Sequence, residues 1–259
     1  MANDVPVTPD RIFGAVQGYQ LSAAVKGAVA LDLFTAIGEG ADTAAAIATR
    51  CAATERGVRI LCDFLTVQGL LEKAGTHYAL AADTAAYLDR RSPTYIGAMT
   101  DFLLSDFFVR DIGDVAAAVR RGGVATTPHG SDEPGHPMWV DFARAMTGLQ
   151  QMPAGFLAAR VVLPGDRDSR VLDIAAGPGT FGIQVAQRYP RAEVTAVDWE
   201  NVLAVTRENA AAAGVADRIR SLPGDAFEVD FGAGYDAVLV PNFLHHFDME
   251  TNVNFLGRA

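Results

Sequence analysis

The sequence predicts an α/β protein in two parts, a mostly helical N-terminal domain followed by a parallel, doubly wound sheet. Two periodicities carry this prediction. Over residues 10–87 apolar side chains recur at three- and four-residue steps, as amphipathic helices require. From Arg170 onward four short β-branched runs, RVLDIA, EVTAVD, IRSLPGD and YDAVLVPN, alternate with helical segments, which is the alternation of a sheet with crossover helices. A third observation places a function on this frame: a glycine-rich turn, GPGTFG at 177–182, follows the first of those runs directly.

In chain order, Ile12, Phe13, Val16 and Tyr19, then Val25, Val29, Leu33, Phe34 and Ile37, mark the buried faces of helices over 10–37. Short helices divided at Ala52-Ala53-Thr54 follow, then a longer helix over about 55–68 and a hairpin over 71–80. Helix, turn, helix and hairpin make a winged-helix outline. In a DNA reader the helix after the turn aims several Arg or Lys side chains at bases and phosphates. This one offers Arg56 and Arg59 beside Glu55 and Asp63. A dimer-forming module is the favoured reading, because these helices carry more apolar surface than so small a domain can bury alone. Between 93 and 165 further helices are interrupted by a loop dense in Gly and Pro. Its His129, Asp132, Glu133 and His136 are too irregularly spaced to read as a metal site, and no metal is expected. Phe142 and Met146 suit core packing, with the wall of an acceptor pocket as the alternative. The expected divisions are 1–105, a winged-helix dimerisation domain; 106–165, linking and pocket helices; and 166–259, the sheet domain.

Composition narrows the classes of partner. Half of the 259 residues are hydrophobic, enough for a large core. The net charge of −10, from 21 basic and 31 acidic residues, repels phosphate backbones and anionic lipid surfaces, so neither nucleic acid nor membrane is expected. Cys51 and Cys62 sit in apolar helical patterns without metal or disulfide spacing and read as buried, reduced thiols. The first residues lack the basic-then-apolar layout of a signal peptide, and the chain reads as cytoplasmic.

Gly177, Gly179 and Gly182 fit the G-x-G-x-x-G template of dinucleotide-binding turns, and Asp198 stands where a ribose-binding acid belongs. A glycine turn between strand and helix serves any ligand that approaches the backbone closely. The acids discriminate better: Asp173 lies inside the first strand, Asp198 ends the second, Asp225 ends the third and Asp236 opens the fourth. A pyrophosphate would find Asp173 an unfavourable neighbour, whereas a ligand carrying a sulfonium and an ammonium group would be attracted.

With those residues in place, VLDIAAGPGT resembles the first motif of class I S-adenosylmethionine-dependent methyltransferases, acid-x-Gly-x-Gly-x-Gly, with Ala175 where the first glycine stands. The resemblance implies a Rossmann-like sheet, a pocket that includes Asp173, Ala175, Gly177 and Gly179, and Asp198 as ribose ligand. GDAF is similar to the segment whose acid, here Asp225, contacts the adenine amino group, with Ala226 beside it and the Phe227 ring against the adenine. Trp199 is a further adenine candidate, and Asn242 lines the methionine side. NFLHHFDMETN resembles the catalytic segment of small-molecule O-methyltransferases that carry an N-terminal winged-helix dimerisation domain, the caffeate and acetylserotonin type.

That resemblance puts His245 on the position of the general base, which takes the proton of a hydroxyl on a small, aromatic or polyketide-like acceptor. Strand alternation lets only one of His245 and His246 reach that acceptor. In plant-type relatives an Asp stands where His246 is. The family continues beyond NVNFLGRA through further strands, so the sheet is expected to be incomplete, with the fourth strand an apolar edge and the chain as it stands inactive. An NAD(P)-dependent oxidoreductase and a winged-helix, ligand-sensing transcription regulator are the competing readings.

Overall fold

The computed structural model describes residues 8–122 and 135–258, and the chain divides into two compact units, Met1–Arg110 and Asp111–Ala259. His129, Asp132 and Glu133 lie outside the described residues.

The first unit holds α1 (Asp10–Ala30), α2 (Leu33–Gly38), α3 (Ala44–Arg50), α4 (Glu55–Val67), the hairpin β1 (Leu71–Ala74) and β2 (His77–Leu80), α5 (Ala82–Tyr87) and α6 (Met99–Leu103). The apolar period of 10–37 is broken at Asp32, which adopts a left-handed conformation (φ 58°) and pairs its carboxylate with Arg50 (3.0 Å) and Arg90 (3.2 Å). Thr43 caps α3 and Thr54 caps α4, each hydroxyl oxygen accepting a first-turn backbone N–H at 3.3 Å. Gly75, with φ 63°, turns the antiparallel hairpin, whose register runs from Leu71 opposite Leu80 to Ala74 opposite His77. The core gathers Leu33, Phe34, Ile47, Val58, Cys62, Leu65 and Tyr78. Burial pushes the Cys62 thiol up to about 12, while Cys51, expected inside, is half-buried because it ends α3 at the surface. Arg59 is paired with Asp63 (3.4 Å).

A second expectation fails in this unit. Ile12, Phe13, Val16 and Tyr19 are 58–68 % exposed rather than buried, because among the described residues no element of the same unit packs on that face of the first half of α1. Burial begins only at Ala28 and Val29. An apolar groove lined by Ala24, Ile60, Leu61 and Phe64, with Gln20 and Gly57, opens between α1 and α4.

Helix α7 (Asp106–Gly113) crosses the division, followed in the second unit by α8 (Val115–Arg121), α9 (Pro137–Leu149) and α10 (Gln151–Ala158). His136 serves as N-cap of α9, its Nδ1 accepting the Met138 N–H at 3.1 Å. The sheet domain then alternates β3 (Ser169–Ile174), α11 (Thr180–Arg188), β4 (Ala192–Asp198), α12 (Glu200–Ala212), β5 (Ile219–Pro223) and β6 (Ala237–Leu239), ending in α13 (Met249–Leu256). All pairings are parallel, in the order β5-β4-β3-β6. The order reverses between β3 and β6, so the segment after β3 lies at a switch point, where open sheets of this kind form their ligand crevice. Alternate residues feed the two faces: Val171 packs with Val185, Val194 and Leu239, whereas Leu172 and Ile174 pack with Val197, Phe231 and Phe255.

The fourth strand is shorter than YDAVLVPN suggested. Among the described residues β6 pairs only with β3, and a strand with one neighbour, ending before a proline, sustains three residues of ladder. The third strand stops at Pro223, leaving Asp225 in the following turn rather than on the strand. Asp236, just ahead of β6, is committed to structure: it pairs with Arg167 and accepts the Arg170 N–H at 2.9 Å. No helix of the described residues is long and apolar enough to cross a membrane.

The exposed row on α1 generates a prediction. Val16→Asp with Tyr19→Asp should leave the far-ultraviolet circular dichroism spectrum unchanged and convert a dimer to a monomer in sedimentation velocity. Loss of helicity instead would mean that the row belongs to the unit's own core.

Candidate functional site

The carboxyl edge of the sheet is organised around two aspartates. Asp198, the last residue of β4, accepts the Gly177 N–H on Oδ2 (2.8 Å) and the Trp199 N–H on Oδ1 (2.7 Å). It thereby ties the glycine turn to the end of the neighbouring strand and to the start of α12. Each carboxylate oxygen retains a further lone pair for a ligand donor. Burial raises the Asp198 carboxyl above its ordinary value, and the two backbone N–H bonds act against that shift.

Asp173, one residue before the end of β3, is completely buried. Its Oδ2 accepts the Gly182 N–H at 2.9 Å, and its Oδ1 has no hydrogen-bond partner among the described residues. Burial pushes the carboxyl up to about 7, with the Gly182 bond lowering it and Asp198 raising it further.

The turn between β3 and α11 needs left-handed backbone at three places: Ala175 (φ 52°), Gly177 (φ 56°) and Gly179 (φ 76°). The departure from the glycine motif at Ala175 therefore falls where an L-residue is strained. A Cβ at Gly179 would stand 2.5 Å from the Thr206 methyl, and one at Gly182 would stand 2.8 Å from Asp173 Oδ2 and from a Val194 methyl. These glycines let α11 approach the sheet and α12 closely. Two α12 side chains, not singled out from the sequence, hold the turn from behind. Thr206 donates to the Gly177 carbonyl (2.7 Å), and Asn209 donates to the Pro178 carbonyl (2.8 Å). Their three-residue spacing, which puts both on one face of α12, was the available signal.

The remaining candidates divide. Asp225 turns the chain after β5 by accepting the Phe227 N–H at 2.7 Å. The Phe227 ring packs against Phe243, Phe247 and Phe255 with centroids 4.9–5.8 Å apart, and Ala226 packs on the same cluster. Trp199 starts α12 and packs with Trp139, Val140, Ala143, Val202 and Val205. Phe142 is half-buried with its ring edge-on to Trp139, and Met146 is half-buried on the same helix. Asn242 is exposed with φ 55°.

His245 and His246 are not at a strand end. They sit on a 3-10 turn, Leu244–His246, beyond the point where β6 stops, both exposed, with ring centroids 4.1 Å apart. The alternation argument for choosing between them fails because a 3-10 turn does not send successive side chains to opposite faces. Asn252 of α13 braces this turn, donating to the Leu244 carbonyl (2.9 Å). No group of three or more His, Cys, Asp or Glu is gathered for a metal among the described residues.

A parallel sheet with a crossover helix after each of its first strands, a glycine turn at the switch point and Asp173 and Asp198 at the carboxyl edge define a Rossmann-like, nucleoside-binding class of domain. Comparison with known proteins agrees. Residues 171–259 match the methyltransferase domain family, and residues 13–90 match the O-methyltransferase dimerisation domain. The crystal structure of a protein of Nostoc punctiforme described as an O-methyltransferase superposes with a TM-score of 0.89 at 45% identity, covering 98% of this chain and 76% of that one. The 3-hydroxy-5-methyl-1-naphthoate 3-O-methyltransferase of Streptomyces sahachiroi is 28% identical over 96% of this chain and 72% of its own length. Human N-acetylserotonin methyltransferase, solved in complex with S-adenosylmethionine, shares the fold (TM-score 0.81, 20% identity, 100% of this chain and 77% of that one). The chain belongs to the S-adenosylmethionine-dependent O-methyltransferases with an N-terminal dimerisation domain. Membership decides the question raised by the glycine turn in favour of the sulfonium donor over a dinucleotide.

Two stability measurements follow. Ala175→Gly should stabilise the protein by about 0.5–1 kcal/mol, read from urea unfolding, since relief of left-handed strain exceeds the added entropy of the unfolded chain. For Asp173 the sign runs against that of an ordinary carboxylate. The folded protein holds a proton that the unfolded chain releases near its ordinary value, so this stabilisation is present at about pH 4 and is lost as the pH rises through about 7. Asp173→Asn should therefore gain stability relative to the parent between pH 5 and 7 and hold that gain above it; parallel stability curves would contradict the assignment.

Proposed function

We propose that this protein transfers a methyl group to a hydroxyl of a small aromatic or polyketide-like molecule, acting as a homodimer in the cytoplasm. The observation that carries the reading is the closure of the glycine turn onto Asp198 by the Gly177 N–H, which leaves acceptor lone pairs at the edge of the sheet. Ribose hydroxyls are donors and fit those acceptors. The unpartnered Oδ1 of buried Asp173 fits a cationic ligand and disfavours a pyrophosphate. The acceptor class is supported by relatives such as the naphthoate 3-O-methyltransferase and by the mitomycin biosynthesis 6-O-methyltransferase of Streptomyces lavendulae.

S-adenosylmethionine supplies a methyl on a sulfonium, activated for in-line displacement by an oxygen nucleophile. In this reading Asp173, Ala175, Gly177 and Gly179 form the floor beneath it. Asp198 holds the ribose, Asp225 and Ala226 meet the adenine amino edge, and Phe227 and Trp199 give the adenine its apolar surroundings. Asn242 borders the methionine end. His245, exposed on its braced turn, accepts the proton of the acceptor hydroxyl at a ring nitrogen, so that an alkoxide or phenoxide character develops only as the bond to carbon forms. Met146 and Phe142 of α9 shape the acceptor side.

Asp198→Ala should weaken S-adenosylhomocysteine binding by about 2–4 kcal/mol in isothermal titration, through two charge-assisted hydrogen bonds to the ribose and release of the glycine turn. Asp198→Asn is no milder control, because its amide NH2 would face a backbone N–H donor on Gly177 or Trp199. His245→Ala should leave that affinity within about twofold and lower turnover about a hundredfold with any hydroxyl acceptor the parent methylates. Tight NADH binding without heat from S-adenosylhomocysteine would overturn the pocket assignment.

A further inference from the structure

The glycine turn covers two buried polar atoms without hydrogen-bond partners among the described residues, Oδ1 of Asp173 and Oγ1 of Thr180. Thr180 opens α11, and Gly182 of the same turn donates its N–H to the other Asp173 oxygen. Leaving a buried carboxylate oxygen unmet is costly, so the group has two ways to lower its energy: take up a proton, or come under the field of a cation. Among the described residues, the elements packed against it supply no cation. Asp173 stands opposite Ala196 on β4 and Leu239 on β6. On β4 the charge that acts on it is Asp198, of like sign, and Glu193 is paired with Arg220. On α11 the basic residue, Arg188, lies in the last turn, at the end away from Gly182. Asp236, ahead of β6, is paired with Arg167.

We propose that Asp173 is a proton-linked sensor of cofactor charge: it carries a proton in the ligand-free protein and gives it up when a sulfonium occupies the glycine turn. Resting on the S-adenosylmethionine reading above, this assigns Asp173 a positioning role with a directional consequence. The donor, which bears the sulfonium, binds with release of the Asp173 proton to solvent. The thioether product lacks that charge, so its binding is not linked to release of the Asp173 proton. The step exchanges one proton with water and needs no other reactant. The near-neutral titration of the carboxyl puts the exchange within the working range of pH.

The test is isothermal titration of the full chain with S-adenosylmethionine and, separately, S-adenosylhomocysteine between pH 7.5 and 5.5, in buffers of different ionisation enthalpy. The dissociation constant for the donor should rise about tenfold or more over that interval and that for the product less than about threefold, with proton release greater for the donor, since a linked proton changes affinity by up to about tenfold per pH unit. Asp173→Asn keeps an oxygen for the Gly182 N–H and should flatten the donor's pH dependence to that of the product. Equal pH dependence of the two ligands in the parent, or a dependence surviving in Asp173→Asn, overturns the inference while leaving the cofactor reading standing. Absence of binding by both ligands at every pH overturns the cofactor reading and the inference together. Should Asp173→Asn fold poorly, the carboxyl 13C titration of the ligand-free parent decides: a buried carboxyl titrating near neutrality supports the sensor, and its absence overturns it.

Discussion

The carboxyl edge of the sheet depends on the Asp198 carboxylate, on which two backbone N–H groups converge, one from 21 residues earlier and one from the next residue. One belongs to the glycine turn after β3 and the other to the first residue beyond β4. A charged acceptor shared by two such donors fixes both loops relative to the strand that carries it, more firmly than neutral hydrogen bonds would. The Asp198 carbonyl extends the arrangement by accepting the Gly224 N–H, so the turn after β5 is joined to the same residue. Three loops that would otherwise vary independently are held by one strand end.

That constraint explains why α12 carries Thr206 and Asn209. A turn with left-handed residues at 175, 177 and 179 exposes carbonyls that no regular ladder can satisfy, and a buried, unpaired carbonyl is costly. Thr206 and Asn209 satisfy two of them from the side opposite the ligand edge. Asn209 also reaches the Thr147 hydroxyl (3.3 Å) on α9, so the helix that bears Phe142 and Met146 is linked through one amide to the cofactor turn.

Charge separates this site from the dinucleotide sites whose glycine spacing it shares. Buried carboxyls beneath and beside the turn favour a ligand with positive charge and repel a pyrophosphate, although the backbone path of the turn is similar in both. In the proposed reading the selectivity rests on Asp173 and Asp198, and the glycines provide close approach. In the N-terminal unit a different economy operates: α1 leaves Ile12, Phe13, Val16 and Tyr19 open to solvent, surface that the unit's own core has no use for.

Much of this was legible in the sequence because it is local. Strand and helix periods, the hairpin over 71–80, the glycine turn and the strand-end position of Asp198 follow from residue spacing within a few turns of chain. The four ordered motifs carried the family. What the sequence alone could not decide were properties of packing between segments far apart. Whether the apolar face of α1 is inside or outside depends on what lies across from it, which no periodicity specifies. The length of β6, and with it the place of His245 and His246 on a 3-10 turn, depends on how many neighbours the strand has. The roles of Thr206 and Asn209, and the unpartnered oxygen of Asp173, arise only when β3, α11 and α12 are brought together. Spacing along the chain determines which element forms and which residues share a face; the free energy of a buried polar atom is set by the groups that surround it in space.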